Sequence, residues 1–140
     1  MKSSKVRLSK ILSHCGICSR REAEKYIKEG YLKVNGKIFT DYSIESKQIK
    51  KISIFDKVLN KKKTRIWIFN KPINYVSSNK EQGNQRSLFK LFPKDIPRLV
   101  SVGRLDIMSE GLMIFTNNPT LSNFLEKPKN KITRKYKVIV

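Results

Sequence analysis

The stretch VRLSKILSHCGICSRREAEKYIKEGYLKVNGKI, residues 6–38, decides how the first part of the chain folds. Leu8, Ile11, Leu12 and Cys15 recur at i, i+3, i+4 and i+7, which predicts a helix with one apolar stripe and with Lys5, Lys10 and Ser13 on its other face. Ser19-Arg20-Arg21-Glu22 has the spacing of a capping box: the Ser19 hydroxyl meets an orphan backbone N–H, and Glu22 reaches back to the cap. Ala23, Tyr26 and Ile27 then form the buried side of a second helix. Gly30 stands where a left-handed residue closes a helix, and residues 31–38 alternate around Asn35-Gly36, a hairpin turn signal.

Outward from this unit the chain is short and very basic. Its 140 residues carry 31 Lys+Arg against 11 Asp+Glu, a formal charge of +20, spread as +8 over residues 1–60 and +12 over residues 61–140. The length excludes a large multi-domain enzyme. Hydrophobic residues make up 39% of the chain, enough for a core, so the charge does not imply disorder. Such a charge repels itself unless a polyanion is present, and counterion release makes nucleic acid the expected partner. No apolar run approaches the roughly 18 residues of a membrane span, and Lys10 and His14 break any signal-peptide core. The expected location is the cytoplasm or an organelle matrix. The two cysteines, Cys15 and Cys18, adjoin the single histidine, His14. Three clustered ligands fall short of the four of structural zinc, so the sequence calls for no metal and reads here as small residues in a turn between helices.

From Asp56 to Thr64 the apolar spacing lapses around Lys61-Lys62-Lys63, and the domain boundary is placed there, after residue 60. No internal repeat is evident. Beyond it the pattern turns to strands: Arg65–Phe69, a shorter piece at Tyr75–Ser78, Leu99–Val102, Leu112–Thr116 and Lys135–Val140. Asn79–Gln85 reads as a polar loop, Ser87 caps a short helix through Phe92, and Pro119–Glu126 is a helix with proline at its first position.

Gly103-Arg104-Leu105-Asp106 falls in the loop between two apolar strands, in a region with only five acids among eighty residues. From its residue type Asp106 is a nucleophile, a general base or a metal ligand, or else an ordinary turn aspartate paired with Arg104. No phosphate-cradling glycine loop or dinucleotide fingerprint accompanies it. Composition and spacing stop there.

The stretch quoted first resembles an S4 RNA-binding domain, over about residues 5–58 of this chain. The resemblance implies a basic surface for structured RNA, formed by Lys5, Arg7, Lys10, Ser19, Arg20, Arg21, Lys25, Lys33, Asn35 and Lys37. Arg20, Arg21 and Lys25 share the solvent side of one helix, where they grip phosphates and carry little sequence information; the alternative is a merely solvated charged face.

Three further segments, NKPINYVSS (70–78), VGRLDIMSEGLMIFTNN (102–118) and RKYKVIV (134–140), resemble in this order the RsuA/RluB family of ribosomal RNA pseudouridine synthases. That family's pattern around its aspartate is G-R-L-D-x-x-T-x-G-L-L-x-x-T-N-D. The resemblance implies an α+β protein: an S4-type α/β domain at 1–60, then an incomplete pseudouridine synthase catalytic domain at 61–140 with a mixed, mainly antiparallel sheet. It implies a cofactor-free and metal-free isomerisation of a uridine in ribosomal RNA, large-subunit 23S RNA on the RluB-like branch, during ribosome biogenesis. Asp106 takes the catalytic role. Whether it attacks the sugar or removes a proton from it, it must be ionised, which nearby positive charge favours, and Arg104 is the cation in sight. Arg104 is implied to displace the target nucleotide from its stack, and Tyr136 to lie on the flipped uracil. The alternative for Tyr136 is a strand tyrosine packing a core.

Three positions depart from the pattern: Ser109 for threonine, Asn118 for aspartate and Asn74 for glycine, the last tolerable because asparagine accepts positive φ. The family's later motif has no counterpart in this sequence, so the chain is expected to be a truncated product or fragment. The competing readings are an inactive S4-type RNA-binding protein and a ribosome assembly factor acting on assembly intermediates.

Overall fold

The computed structural model describes residues 4–60, 62–79 and 83–139. Lys61 of the lysine run, residues 80–82 of the polar loop and Val140 lie outside them. The chain divides into two compact units after Thr64.

In the first unit the order is β1 (Lys5–Arg7), α1 (Leu8–His14), α2 (Arg20–Lys28), β2 (Leu32–Val34), β3 (Lys37–Ile38), β4 (Ser43–Glu45), β5 (Ile52–Ile54) and β6 (Lys57–Val58). The capping box forms as the spacing predicts: the Glu22 N–H donates to Ser19 Oγ at 3.2 Å, and the Ser19 N–H donates to Glu22 Oε2 at 2.8 Å. Leu8, Leu12, Ala23, Ile27 and Leu32 are fully buried and make one core with Val34, Ile44, Ile52 and Ile54. Two details of α1 differ from expectation. Lys5 belongs to no helix, because Lys5–Arg7 pairs antiparallel with Ser43–Glu45 and α1 begins only at Leu8. Ser13 is buried rather than solvated, as is Ser9; these small side chains widen the packed face.

The expectation of no internal repeat is also corrected. The sheet order is β3-β2-β5-β6, two hairpins joined back to back, with Leu32 opposite Ile54 and Val34 opposite Ile52. Equivalent hydrogen bonds recur twenty residues apart. The Phe39 N–H donates to Leu32 O at 3.0 Å and the Leu59 N–H to Ile52 O at 2.9 Å; the Asn35 N–H donates to Lys51 O and the Phe55 N–H to Tyr31 O. The first turn is Asn35-Gly36 and the second Phe55-Asp56, all four at positive φ. Only the apolar–polar–apolar alternation and the lysine after each turn survive in sequence, and a bulky Phe55 at φ +49° hides the turn signal.

The second unit contains β7 (Ile66–Lys71), β8 (Tyr75–Val76), β9 (Arg86–Ser87), β10 (Val100–Ser101), β11 (Gly111–Thr116) and α3 (Pro119–Glu126). β10, β11 and β7 form an antiparallel sheet in that order, while β8 and β9 make a short parallel ladder. Ser87 caps a 3-10 turn at Leu88–Leu91, accepting from the Phe89 N–H, and α3 has its proline at the predicted place. Asn118, in place of the family aspartate, is the N-cap of α3: its Oδ1 accepts from the Thr120 N–H at 2.9 Å. Strand alternation turns Trp67, Phe69 and Lys71 toward a core of Leu88, Leu99, Met113 and Phe115, and leaves Ile66, Ile68 and Asn70 exposed.

Over its described residues, 135–139, the predicted last strand does not form. Residues 131–139 have no regular structure and are exposed, Val138 and Ile139 included. A β-branched run becomes a strand only where a neighbour completes its ladder, and no described strand pairs with this one. Among the described residues no three His, Cys, Asp or Glu are grouped to hold a metal, and no helix is long and apolar enough to cross a membrane.

Candidate functional site

The loop from β10 to β11 carries Gly103–Glu110. Because Gly111 lies opposite Lys71 in the ladder, this loop leaves the sheet directly beside the end of β7. Lys71 continues the inward series of Trp67 and Phe69, so its side chain is completely buried beneath the loop. Its ammonium donates to four backbone carbonyls: Ser109 at 2.7 Å, Asp106 at 3.0 Å, Pro72 at 3.1 Å and Ile107 at 3.4 Å. Three N–H groups shared among four acceptors satisfy the buried charge and fix the course of the chain through Asp106. Burial pushes the Lys71 pKa down, and the Asp106 carboxylate partly offsets this.

Two more residues of the segment after β7 complete the clamp. The Ser77 hydroxyl donates to Leu105 O at 2.8 Å and accepts from the Leu105 N–H at 3.2 Å, so it holds both polar groups of one peptide residue. The Asn74 N–H donates to Ile107 O at 2.8 Å, and Asn74 has the positive φ (+69°) expected of a glycine substitute. Within the loop, the Ser109 N–H closes a turn onto Asp106 O at 3.0 Å. The carboxylate itself is exposed and lines an open cleft of about 520 Å³ with Ser77, Gln85, Arg104 and Leu105.

Asp106 is therefore a turn residue, but among the described residues no ion pair joins it to Arg104. The cation under its loop is Lys71, which reading the residues singly had passed over. Its signal was a lysine ending an apolar strand in phase with the inward side chains and followed by proline. Arg104 is exposed beside Asp106. Tyr136 is not brought into that cleft: it is 68% exposed and lines a second one, which shares Arg104 and Leu105 with the first.

In the first unit Arg20 and Arg21 open α2 and are exposed. Two cations in a helix's first turn oppose its dipole, a local cost consistent with a surface shaped for anions. Lys5 and Arg7 on β1, Lys10 on α1 and Lys37 on β3 are exposed too. Four others have protein partners. Lys25 pairs with Glu29 at 3.8 Å and Lys33 with Asp56 at 2.6 Å. Ser19 is the helix cap. Asn35 Oδ1 accepts from the Lys50 and Lys51 N–H groups, and its Nδ2 donates to Gln48 O at 2.7 Å, so the side chain braces the hairpin turn.

Comparison with known proteins agrees with this division. The model of the RNA pseudouridylate synthase family matches residues 65–140, which include the whole Asp106 loop and its clamp. The chain belongs to that family. The S4 domain model matches residues 6–45. An uncharacterized RNA pseudouridine synthase of Rickettsia felis is 38% identical over 133 residues, covering 94% of this chain and 58% of the relative. Ribosomal large subunit pseudouridine synthase B of Buchnera aphidicola is 39% identical over 140 residues, covering 96% and 56%. The protein of that name from Bacillus subtilis is 33% identical, covering 93% and 53%. The chain thus spans a little over half the length of these relatives. A solved structure described as a pseudouridylate synthase is 27% identical, covers 89% of this chain and 54% of its own, and superposes with a TM-score of 0.49.

Proposed function

We propose that this chain is the RNA-binding domain and the Asp106-bearing part of a synthase that isomerises a uridine of large-subunit ribosomal RNA to pseudouridine. The observation that carries the reading is the clamped loop: an exposed carboxylate in an open cleft, on a backbone pinned by Lys71, Asn74 and Ser77. A carboxylate that must meet a sugar carbon gains from a backbone that does not reorganise during the reaction. The large-subunit substrate is supported by the names of the Buchnera and Bacillus relatives.

In this reading the target nucleotide leaves its stack and Arg104 fills the space, its planar guanidinium stacking while it meets phosphate. Asp106 acts on the ribose while the N-glycosidic bond breaks and a carbon–carbon bond replaces it. Substrate and product contain the same atoms, so no net oxidation is needed. Tyr136 reaches the displaced uracil from the other side of the Arg104–Leu105 ridge. Arg20 and Arg21, with Lys5, Arg7, Lys10 and Lys37, hold the RNA by its phosphates; Ser19 and Asn35 serve that surface by shaping its backbone. A ribosomal RNA substrate sets this work where ribosomes are made, the cytoplasm in bacteria.

The test is tritium release from 5-tritiated uridine in large-subunit ribosomal RNA, with wild type and Asp106→Asn. Release by wild type and none by the variant, with equal RNA binding, is expected. No release by either protein while both bind RNA would reduce the chain to a binding module.

A further inference from the structure

We infer that the cleft on the Tyr136 side of the Arg104–Leu105 ridge is a subsite for the unpaired nucleotide next to the target, with Arg134 holding its phosphate. This rests on the reading of the Asp106 loop as the place where RNA reacts. The cleft measures about 370 Å³ and is lined by Arg104, Leu112, Ile132, Arg134, Lys135 and Tyr136, within the size range of small-ligand sites, roughly 300–1,000 Å³. With Tyr136 given to the displaced uracil, the rest of the lining is divided as a nucleotide's chemistry is, with an apolar floor of Leu112 and Ile132 for a base and three cations for a phosphate.

Charge favours a polyanion over an apolar partner, and membership of an RNA pseudouridylate synthase family makes that polyanion RNA rather than an acidic peptide. Residues 127–137 contain six cations and no acid, and all but Asn130 are exposed. Among the described residues Arg134 has no ion pair. Two guanidinium groups on one small cleft repel each other unless an anion lies between them. The backbone contributes as well. Gly103 has φ +79°, and Arg134 Nη2 lies 3.8 Å from where its Cβ would stand, so the guanidinium rests over bare main chain at the start of the Asp106 loop. An RNA strand that presents a nucleoside to Asp106 and meets Arg104 then has its neighbouring phosphate beside Arg134. Such a subsite would read the accessibility of the flanking nucleotide and the stacking of its base, not a hydrogen-bond code.

The experiment titrates the full chain against a fluorescein-labelled oligouridylate 12-mer and, separately, a 12-bp A·U duplex, from low to moderate salt. Arg134→Ala is expected to weaken single-strand binding about tenfold and to flatten the log–log salt dependence by about 0.7, the share of one phosphate contact. Arg134→Lys should keep the slope but lose part of the affinity, since an ammonium cannot bind bidentately. Duplex binding should change less than twofold. Arg20→Ala with Arg21→Ala is the reference for RNA binding as such. If that pair weakens binding while Arg134→Ala leaves affinity and slope as in wild type, the subsite is wrong and the reading of the chain as an RNA protein stands. Equal losses on single strand and duplex, or tighter binding of polyglutamate than of RNA at this cleft, also overturn it. Absence of RNA binding in wild type would remove both.

Discussion

The two units stabilise themselves in different ways. The first closes a core from every side: both helices and both hairpins contribute, and ten buried apolar residues form a single cluster. The second gathers its buried apolar residues on one face of its sheet. There Phe69, Phe89, Phe92 and Phe115 meet edge to face, with centroids 4.9–6.3 Å apart, while Ile66, Ile68 and Leu112 on the opposite face are 54, 74 and 67% exposed. What the second unit has instead is a polar device, the Lys71 ammonium gathering the carbonyls of the Asp106 loop. Apolar packing is non-directional and suits a domain that presents a surface. A charge-assisted hub is directional, and suits a loop whose backbone must hold one path.

The sharpest way to break this comparison is to remove equal apolar volume from each unit. Leu12→Ala empties a fully buried site and should cost about 2–5 kcal/mol. Ile68→Ala, on the uncovered face, should stay within about 0.5 kcal/mol. Urea unfolding followed by far-UV circular dichroism measures both. A loss at Ile68 as large as at Leu12 would mean that the exposed sheet face is packed in solution.

Lys71→Met probes the polar device at similar volume. It removes the ammonium from four carbonyls, of which Ile107 O keeps the Asn74 N–H and Asp106 O the Ser109 N–H, for a loss on the order of 1–3 kcal/mol, with amide exchange at Leu105–Ser109 accelerating more than in the rest of the sheet. The pH dependence has a definite sign. Burial lowers the Lys71 pKa below its ordinary 10.5. Between the folded value and 10.5 the unfolded chain therefore binds more protons, and stability rises with pH through that window. Wild type should gain on Lys71→Met as the pH climbs toward 10.5. A constant difference between the two proteins would place the ammonium in water.

Much of the fold was legible where a local signal and the tertiary role agree. Ser19-x-x-Glu22, Asn35-Gly36, Ser87 and Pro119 each specify a cap or turn by their own chemistry, and each stands where that chemistry puts it. The second hairpin was illegible because Phe55 and Asp56 occupy a positive-φ turn that ordinarily selects asparagine and glycine; the packing of Phe55 between Tyr26 and Tyr31, both at 5.0 Å, holds what local preference does not. The final strand failed for the opposite reason. Its propensity is strong, but a strand is a property of a pair. At the candidate site, Asp106 and Arg104 were visible because they sit in a distinctive motif. The clamp was not, because an inward lysine shows only once the register between β7 and β11 is known.

The smallest effect separates the units by acidity. His14, at the end of α1, has its pKa lowered below 6.5 by burial first and then by Lys10 and Arg20. The folded state thus resists protonation that the unfolded chain accepts. The contribution of His14 is fully present above pH 6.5 and is lost as the pH falls through its folded pKa. His14→Gln abolishes that titration, so its urea midpoint should fall less than that of wild type between pH 7 and pH 5, and the two curves should run parallel above pH 7. Because His14 lies in the first unit, this acid-side difference belongs there. It should appear in the unfolding of the S4 helices and leave amide exchange in the Asp106 loop unchanged. Parallel curves across the whole range would mean that His14 is as solvated in the folded protein as in the unfolded chain, and that the α1–α2 turn packs less tightly than its neighbours Leu12 and Cys18.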